Sequence, residues 1–470
     1  MGSRNWLGLV LLTFLSALLP VRSFAASAAE SSYKGWQTLE VKNDLVSAQL
    51  APDIGGRIIQ FKLGDHEFLW VNPDLAGKLP PETGLGPKGE WLNYGGDKLW
   101  PAPQGWGGPD EWPGPPGADI EGKPHTAQII TARGTTATVV HTSPKDPYSG
   151  IRFTRKIAVV DGAAGLRLDS TMTNVDTKPR RWGIWQVTQL DCSAPGGKGW
   201  SEKIRAYTPM NPKSLFPRGF KVLYGPEDNP AWQPDHEKKI FRAHYVRQVG
   251  KVGLDSMAGW LAVVDGRTGR AFVERFETFP EKKYPDNSSV EFWIQAPGKF
   301  QLPNEEVAVP DTPRDAPPYM EAEVLSPFAE LRPGESYTFR NEWYAANVGD
   351  GQVIECTSIG LVCIDPKSPG LPWVPPPADA GFGTQLHINA TFGVFYKGTA
   401  RLKLFTEQGD ELATPTLSIP VAPGQILAFP YITIPSQAKR LAICIHDPNG
   451  ALLGELVRLP IHYSDWLIKQ

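Results

Sequence analysis

The run Tyr319-Met320-Glu321-Ala322-Glu323 sets two carboxylates two residues apart in a segment of strand-forming composition. Side chains alternate across a strand, so Glu321 and Glu323 share a face. Turned outward they are solvated carboxylates. Turned into a cleft, mutual repulsion and desolvation raise one pKa toward neutrality and produce a general base. The second chemistry-bearing stretch is WLNYGGDKLWPAPQGWGGPDEWPGPP, from Trp91 to Pro116. Asn93, Tyr94, Asp97 and Lys98 crowd around Gly95-Gly96, with Trp91, Trp100, Trp106 and Trp112 interleaved. Two glycines permit a tight turn, and flanking polar groups can then converge on one ligand. Indole faces beside such groups suit a sugar ring. The competing reading is a Pro-Trp loop packed on a sheet, with Asp97 and Lys98 as a surface ion pair.

Other chemistries find less support. The eight histidines are dispersed, Gly-x-Ser-x-Gly is absent, and no Cys-x-x-Cys pair or His cluster has metal-ligand spacing, so neither a triad nor a metal site is expected. Arg180-Arg181 can grip a carboxylate or phosphate, or form a solvated turn. Lys plus Arg number 47 against 50 Asp plus Glu, net -3, with no basic footprint, which argues against a nucleic-acid partner. The four cysteines, Cys192, Cys356, Cys363 and Cys444, allow disulfides in an exported chain. Cys356 and Cys363 are the candidate pair, since a hairpin through Thr357 to Val362 brings them close; four buried thiols are the alternative.

The elements that must position these residues are strands. Forty-seven Gly and 46 Pro in 470 residues oppose helix interiors. From about Trp36 the sequence reads as short alternating segments such as RIIQFKL, IRFTRKIAVV, WGIWQVTQL, VEFWIQ and SYTFRNEWYA, bounded by turn residues. A Pro- and Trp-rich insertion from about Gly84 to Gly117 interrupts them and is a candidate binding loop. DPKSPGLPWVPPPADAGFG reads as a linker, after which six or seven strands predict a smaller β-sandwich. Arg4 precedes an apolar run from Trp6 to Leu19 and a small-residue stretch reaching Ala28, the pattern of a secretory signal peptide. The predicted organisation is a leader over 1–28, a large β domain over 32–348, a connector over 349–380 and a C-terminal sandwich over 381–470. The mature chain is expected to be exported, periplasmic or extracellular, without a membrane span.

Gly55-Gly56-Arg57-Ile58, WLNYGGDKLWPAPQ, FTRKIAVVDGAAGLRLDSTMTNV with WGIWQVTQL, and YMEAEVLSPFAELRPGESYTFRNEWYA occur in an order that resembles the galactose mutarotase-like superfamily, specifically a branch of unknown function similar to aldose epimerases. The resemblance spans about Trp36 to Ala346. It implies an all-β fold, a large antiparallel supersandwich whose concave face binds carbohydrate, followed here by an immunoglobulin-like sandwich. It implies a catalytic Glu near the domain's end, at Glu321 or Glu323, and a substrate-binding Arg at Arg57. Where aldose epimerases carry His-Gly-Gly this chain reads Tyr94-Gly95-Gly96, and where a second His strand passes it reads Trp185-Gln186-Val187. Both family histidines are thus replaced, and Tyr94 or Lys98 becomes the candidate acid.

The expected function is a carbohydrate-active or carbohydrate-binding protein that interconverts anomers or epimers by proton transfer, with no cofactor. Glu321, Glu323, Tyr94 and Lys98 are the catalytic candidates. Arg57, Asn93, Asp97, Trp100, Trp185 and Gln186 are the binding candidates. The alternatives are a non-catalytic carbohydrate-binding module and a lyase acting on uronate polymers. The oligomeric state is not legible.

Overall fold

The computed structural model describes residues 26–105, 108–114, 118–197, 199–302, 305–365, 373–374, 384–413 and 417–463. The expected leader up to residue 25, Trp106, and most of the Pro-rich connector lie outside these residues. The molecule is built almost wholly of strands. Its one α-helical turn among the described residues is Ala118–Glu121, and no described helix is long and apolar enough to cross a membrane.

Two large sheets carry the N-terminal three quarters of the chain. In the 13-stranded sheet, Gly250–Leu254, Val290–Gln295, Tyr319–Leu325, Arg180–Asp191, Asp97–Ala102 and Arg57–Leu63 lie side by side, continuing through Val46–Ala51, Trp36–Lys42 and Ala26–Tyr33. The 10-stranded sheet centres on Trp260–Asp265, Arg270–Phe276, Ser336–Asn347, Gly165–Asn174 and Ile151–Val160. The pairs along these strands are antiparallel. Between the sheets lies the main apolar core. Phe61 from the first sheet meets Trp343 and Phe272 from the second, at ring-centroid distances of 5.6 and 6.3 Å, and each such buried aromatic contributes about 1.5–3 kcal/mol through area alone.

The register fixes which side chains share a face, because directly opposed residues in antiparallel strands point the same way. Lys98 stands opposite Val187, and Val187 opposite Glu323. Trp100 stands opposite Trp185, Gln189 opposite Glu321, Glu321 opposite Trp293, and Trp293 opposite Lys251. Charged and aromatic groups from five strands therefore collect on the side of the sheet that faces away from the main core.

Four sequence expectations change. The Gly84–Gly117 insertion is not wholly a loop: Asp97–Ala102 is an interior strand, hidden from pattern reading because all six residues are buried and nothing alternates. Residues 26–28, assigned to the leader, open the Ala26–Tyr33 strand, with Ala26 fully buried and paired to Gly134. Residues 352–364, assigned to the connector, form a hairpin that joins Ala390–Val394 in a three-stranded sheet. Cys356 and Cys363 are free thiols. A register shift in that hairpin sets Cys356 opposite Leu361 and Cys363 opposite Val353, so the two cysteines are not cross-strand partners.

The C-terminal strands form a second apolar core of their own and also pack on the outer face of the 10-stranded sheet. Tyr344 stacks on Phe395 at 4.3 Å, and Ala346, Val348, Leu361 and Cys363 fill the same cluster.

Gly95 and Gly96 steer the chain into the Asp97–Ala102 strand with φ of 91° and 74°. A Cβ on Gly95 would fall 2.2 Å from the Trp70 carbonyl oxygen, and one on Gly96 2.5 Å from that of Ile58. Positive φ and a backbone wall act together, so Gly95→Ala should lower stability by at least about 1–3 kcal/mol. A denaturant midpoint within error of the unaltered protein would refute this account of the turn.

Candidate functional site

Lys98 and Glu321 meet on the outward face of the large sheet. Lys98 Nζ lies 3.7 Å from Glu321 Oε1, and their side chains are 2% and 10% exposed. The ammonium has no hydrogen bond among the described residues and sits over two indoles, 4.8 Å from the Trp100 ring centroid and 5.6 Å from that of Trp91. Burial lowers the Lys98 pKa, against the pull of Glu321 and Glu121. Burial lifts Glu321 to about 7, with Lys98 opposing and Glu323 adding to the rise. Burial thus moves the two groups in opposite directions, Lys98 down and Glu321 up, which favours proton exchange with a bound molecule. Gln189 Nε2 donates to Glu321 Oε1 at 2.7 Å and holds the carboxylate in place.

Glu323 is placed differently although it shares the face. It is fully buried, accepts a hydrogen bond from Trp185 Nε1 at 2.7 Å, and pairs with Lys251 at 3.0 Å. Lys251 also pairs with Glu291 at 2.7 Å and lies 4.2 Å from the Trp185 ring centroid. Burial works against the Lys251 charge, but the Glu291 and Glu323 carboxylates outweigh it and raise the pKa. Glu323 therefore belongs to a closed ionic triad, and its charge acts on Glu321 through space.

A second charged unit shapes the other side. Arg57 is fully buried, and donates from Nε to Ile54 O at 2.6 Å, from Nη1 to Gly95 O at 2.8 Å, and from Nη2 to Glu121 O and Oε1 at 2.9 Å. With four donors engaged internally it is not a substrate clamp, which corrects that expectation. Glu121 in turn accepts from Trp91 Nε1 at 2.9 Å and Trp100 Nε1 at 2.7 Å. The Arg57–Glu121 pair thus aims the two indoles that flank Lys98.

Asp97 and Gln186 are also corrected. Each is a chain neighbour of a residue on the outward face, so strand alternation sends it inward. Asp97 pairs with Arg155 and accepts from Thr188 Oγ1 at 2.9 Å; Gln186 accepts from Asn341 Nδ2 at 2.6 Å, and Asn341 also bonds Glu274. Burial pushes Glu274 up to about 8, so this inter-sheet network stabilises its charges by pairing and protonation rather than by contact with solvent. Tyr94, the other acid candidate, lines the cavity described below. It is fully buried, its hydroxyl has no partner among the described residues, and burial raises its pKa despite Arg57 beside the ring. The Arg180 and Arg181 pair is engaged with Asp176 and Glu330.

A cavity of about 1150 Å³ opens next to Tyr319, on the strand that carries Glu321. Trp91, Asn93, Tyr94, Gln295 and Tyr319 are among its lining residues, and no histidine lines it. Asn93 Nδ2 donates to the Tyr319 hydroxyl at 3.2 Å, which donates to Gln295 Oε1 at 3.5 Å. Tyr319 is two residues from Glu321 on the same strand face, and neither Glu321 nor Lys98 is among the lining residues. Two histidines lie elsewhere: half-buried His125 and buried His141, both beside Gly56, are held down at about 3 and about 4 by desolvation.

Gln189, Lys251, Glu291 and Glu121 were missed in the sequence. Lys251 and Glu291 alternate with the core residues Val252, Leu254, Val290, Phe292 and Ile294, so the local pattern reads them as ordinary outward-facing charges. Glu121 had no local signal, since only the tertiary fold brings the Ala118–Glu121 turn to Arg57.

Because Glu321 titrates higher in the folded state than its ordinary 4.5, the native protein binds the extra proton between about 4.5 and 7. That contribution to stability is intact below the lower value and is lost as pH rises through the upper one. Thermal unfolding of Glu321→Gln and the unaltered protein, compared from pH 5 to pH 8, should show the variant gaining in relative stability as pH rises. A pH-independent difference would contradict the shifted carboxyl.

Residues 36–195 match the family model of a domain of unknown function, DUF4380. No curated protein is detectably similar. Among solved structures, the chain is similar to a galactose mutarotase-like protein from Clostridium acetobutylicum, with 13% identity, 69% of this chain and 99% of that one covered, and a TM-score of 0.43. It is similar to a galactose mutarotase related enzyme from Lactobacillus acidophilus, with 11% identity, coverage of 67% and 98%, and a TM-score of 0.37. It also matches a TPR-domain containing protein from Parabacteroides distasonis, with 15% identity, 67% of this chain covered and a TM-score of 0.42, and spans about half (48%) of that protein's length.

Proposed function

We propose that this chain binds a saccharide in the cavity beside Tyr319 and interconverts its anomers, with Glu321 as base and Lys98 as acid. The observation that carries the reading is the buried Lys98–Glu321 pair at 3.7 Å, its ammonium over two indoles and without a hydrogen bond. Glu321 takes the proton of the anomeric hydroxyl. The bond from C1 to the ring oxygen breaks, its electrons pass to that oxygen, and the Lys98 ammonium protonates it. Rotation about the C1–C2 bond and reversal of both transfers close the ring as the other anomer and restore both side chains. The two reacting oxygens are bonded to one carbon, so acid and base must stand close together, as these do. No cofactor enters the balance.

A second reading, binding without turnover, is favoured by one fact: the residues lining the cavity include Tyr319 but neither Glu321 nor Lys98. Uronate cleavage has less support, because Arg57 is buried with its donors engaged and none of Arg57, Arg180 and Arg181 lines the cavity. Export of the mature chain is part of the proposal and rests on the apolar run from Trp6 to Leu19.

NMR exchange spectroscopy on a panel of aldoses tests the reading. The protein should accelerate anomer exchange, and Glu321→Gln and Lys98→Met should each reduce the acceleration by roughly 10²–10⁴ while leaving the β-rich circular dichroism spectrum unchanged. No acceleration with any sugar, together with saturable saccharide binding, would select the binding reading instead.

A further inference from the structure

We infer that the ligand is a neutral oligosaccharide that enters reducing end first, not a free monosaccharide. This rests on the reading of the cavity as a saccharide site and names the class of saccharide it takes. Three observations support it.

The first is size. Clefts of about 300–1,000 Å³ enclose drug-sized ligands, whereas one hexose has only about a dozen heavy atoms. At about 1150 Å³ the cavity is several times what one sugar ring needs. It extends from Tyr319 to a rim at Leu79, which is 62% exposed. Prolines at 81, 87, 313, 317 and 318 form much of its wall. Their fixed φ stiffens the wall, so the space is not readily closed around a small ligand.

The second is charge. Three basic and five acidic side chains line the cavity. Some are neutralised in place: Glu67 pairs with Lys62 at 2.7 Å and Lys34 at 3.8 Å. A wall of mixed sign with an acidic excess offers hydrogen bonds to hydroxyls and repels a polyanion, so the uncharged class is favoured over uronate chains.

The third is chemistry. In an oligosaccharide only the reducing terminus carries a free anomeric hydroxyl, and every other anomeric carbon is locked in a glycosidic bond. Because the proposed acid and base act only at a free anomeric carbon, a chain presented to Lys98 and Glu321 must arrive with that terminus first. Trp91, Asn93 and Tyr319 are among the lining residues able to meet a ring, and Trp70, tilted against Tyr319 at 4.7 Å, extends the aromatic wall.

Isothermal titration calorimetry on the full chain carrying Glu321→Gln, with neutral oligosaccharides of increasing length and matched uronate oligomers, separates this inference from the acid/base reading. Affinity should rise at least about tenfold from monosaccharide to trisaccharide, equivalent to about 1.4 kcal/mol, then level off. Uronates should bind more weakly at each length, and Leu79→Asp should weaken the longest oligomers more than the shortest. The same titrations of the unaltered protein, read by tryptophan fluorescence, guard against a folding defect in the variant. Equal affinity for monosaccharide and oligomer, in a protein that does catalyse anomer exchange, overturns the chain-length inference alone. Tighter binding of uronates overturns the neutral class. Length-dependent binding without exchange supports the neutral oligosaccharide class and overturns both the acid/base reading and the reducing-end-first direction that depends on it.

Discussion

The buried ion pair between Arg57 and Glu121, with side chains 0% and 3% exposed, is the constraint on which the site's geometry depends. An ion pair out of water costs several kcal/mol per charge unless its remaining donors and acceptors are satisfied. Here they are satisfied by particular atoms: Arg57 holds the carbonyls of Ile54, Gly95 and Glu121, and Glu121 holds the indole N–H groups of Trp91 and Trp100. The pair therefore ties the double-glycine turn, the Ala118–Glu121 turn and two aromatic faces into one rigid unit. Lys98 rests against that unit, and its charge is tolerated because the ring faces and Glu321 stand where water would otherwise be.

On the same sheet two polar systems lie back to back. The outward one runs from Lys98 and Glu321 through Glu323 to Lys251 and Glu291. The inward one runs from Asp97 and Arg155 to Thr188, and from Gln186 through Asn341 to Glu274. Successive residues of single strands feed both: Asp97 and Lys98 from one, Trp185 and Gln186 from another. The inward network is enclosed between the sheets and serves packing. The outward one continues on the same face to Tyr319 and Gln295, which line the cavity, and Glu321 is the carboxylate of its strand that retains exposure. The C-terminal strands cover the far side of the 10-stranded sheet, which leaves the outward face of the large sheet as the side where a ligand can approach.

Much of this architecture was legible in the residues themselves. Gly and Pro density and two-residue alternation sufficed for an all-β chain, and the spacing of Glu321 and Glu323 placed them on one face, because strand geometry is local. The same local rule, applied strictly, separates Lys98 from Asp97 and Trp185 from Gln186. The interior strand Asp97–Ala102 escaped notice because a strand buried on both sides has no alternation to display.

What only the tertiary structure decided is which charges meet. Lys98 and Glu321 are 223 positions apart in the chain, and Arg57 and Glu121 are separated by 64. The composition of either segment says only that a charge is present. Whether it is solvated, paired or poised follows from desolvation and from the few ångströms to its neighbour, and both are set by strand order and register rather than by local sequence. Two glutamates that look equivalent in the sequence thus acquire different surroundings, one enclosed by Lys251 and Trp185 and the other shifted toward neutrality beside Lys98.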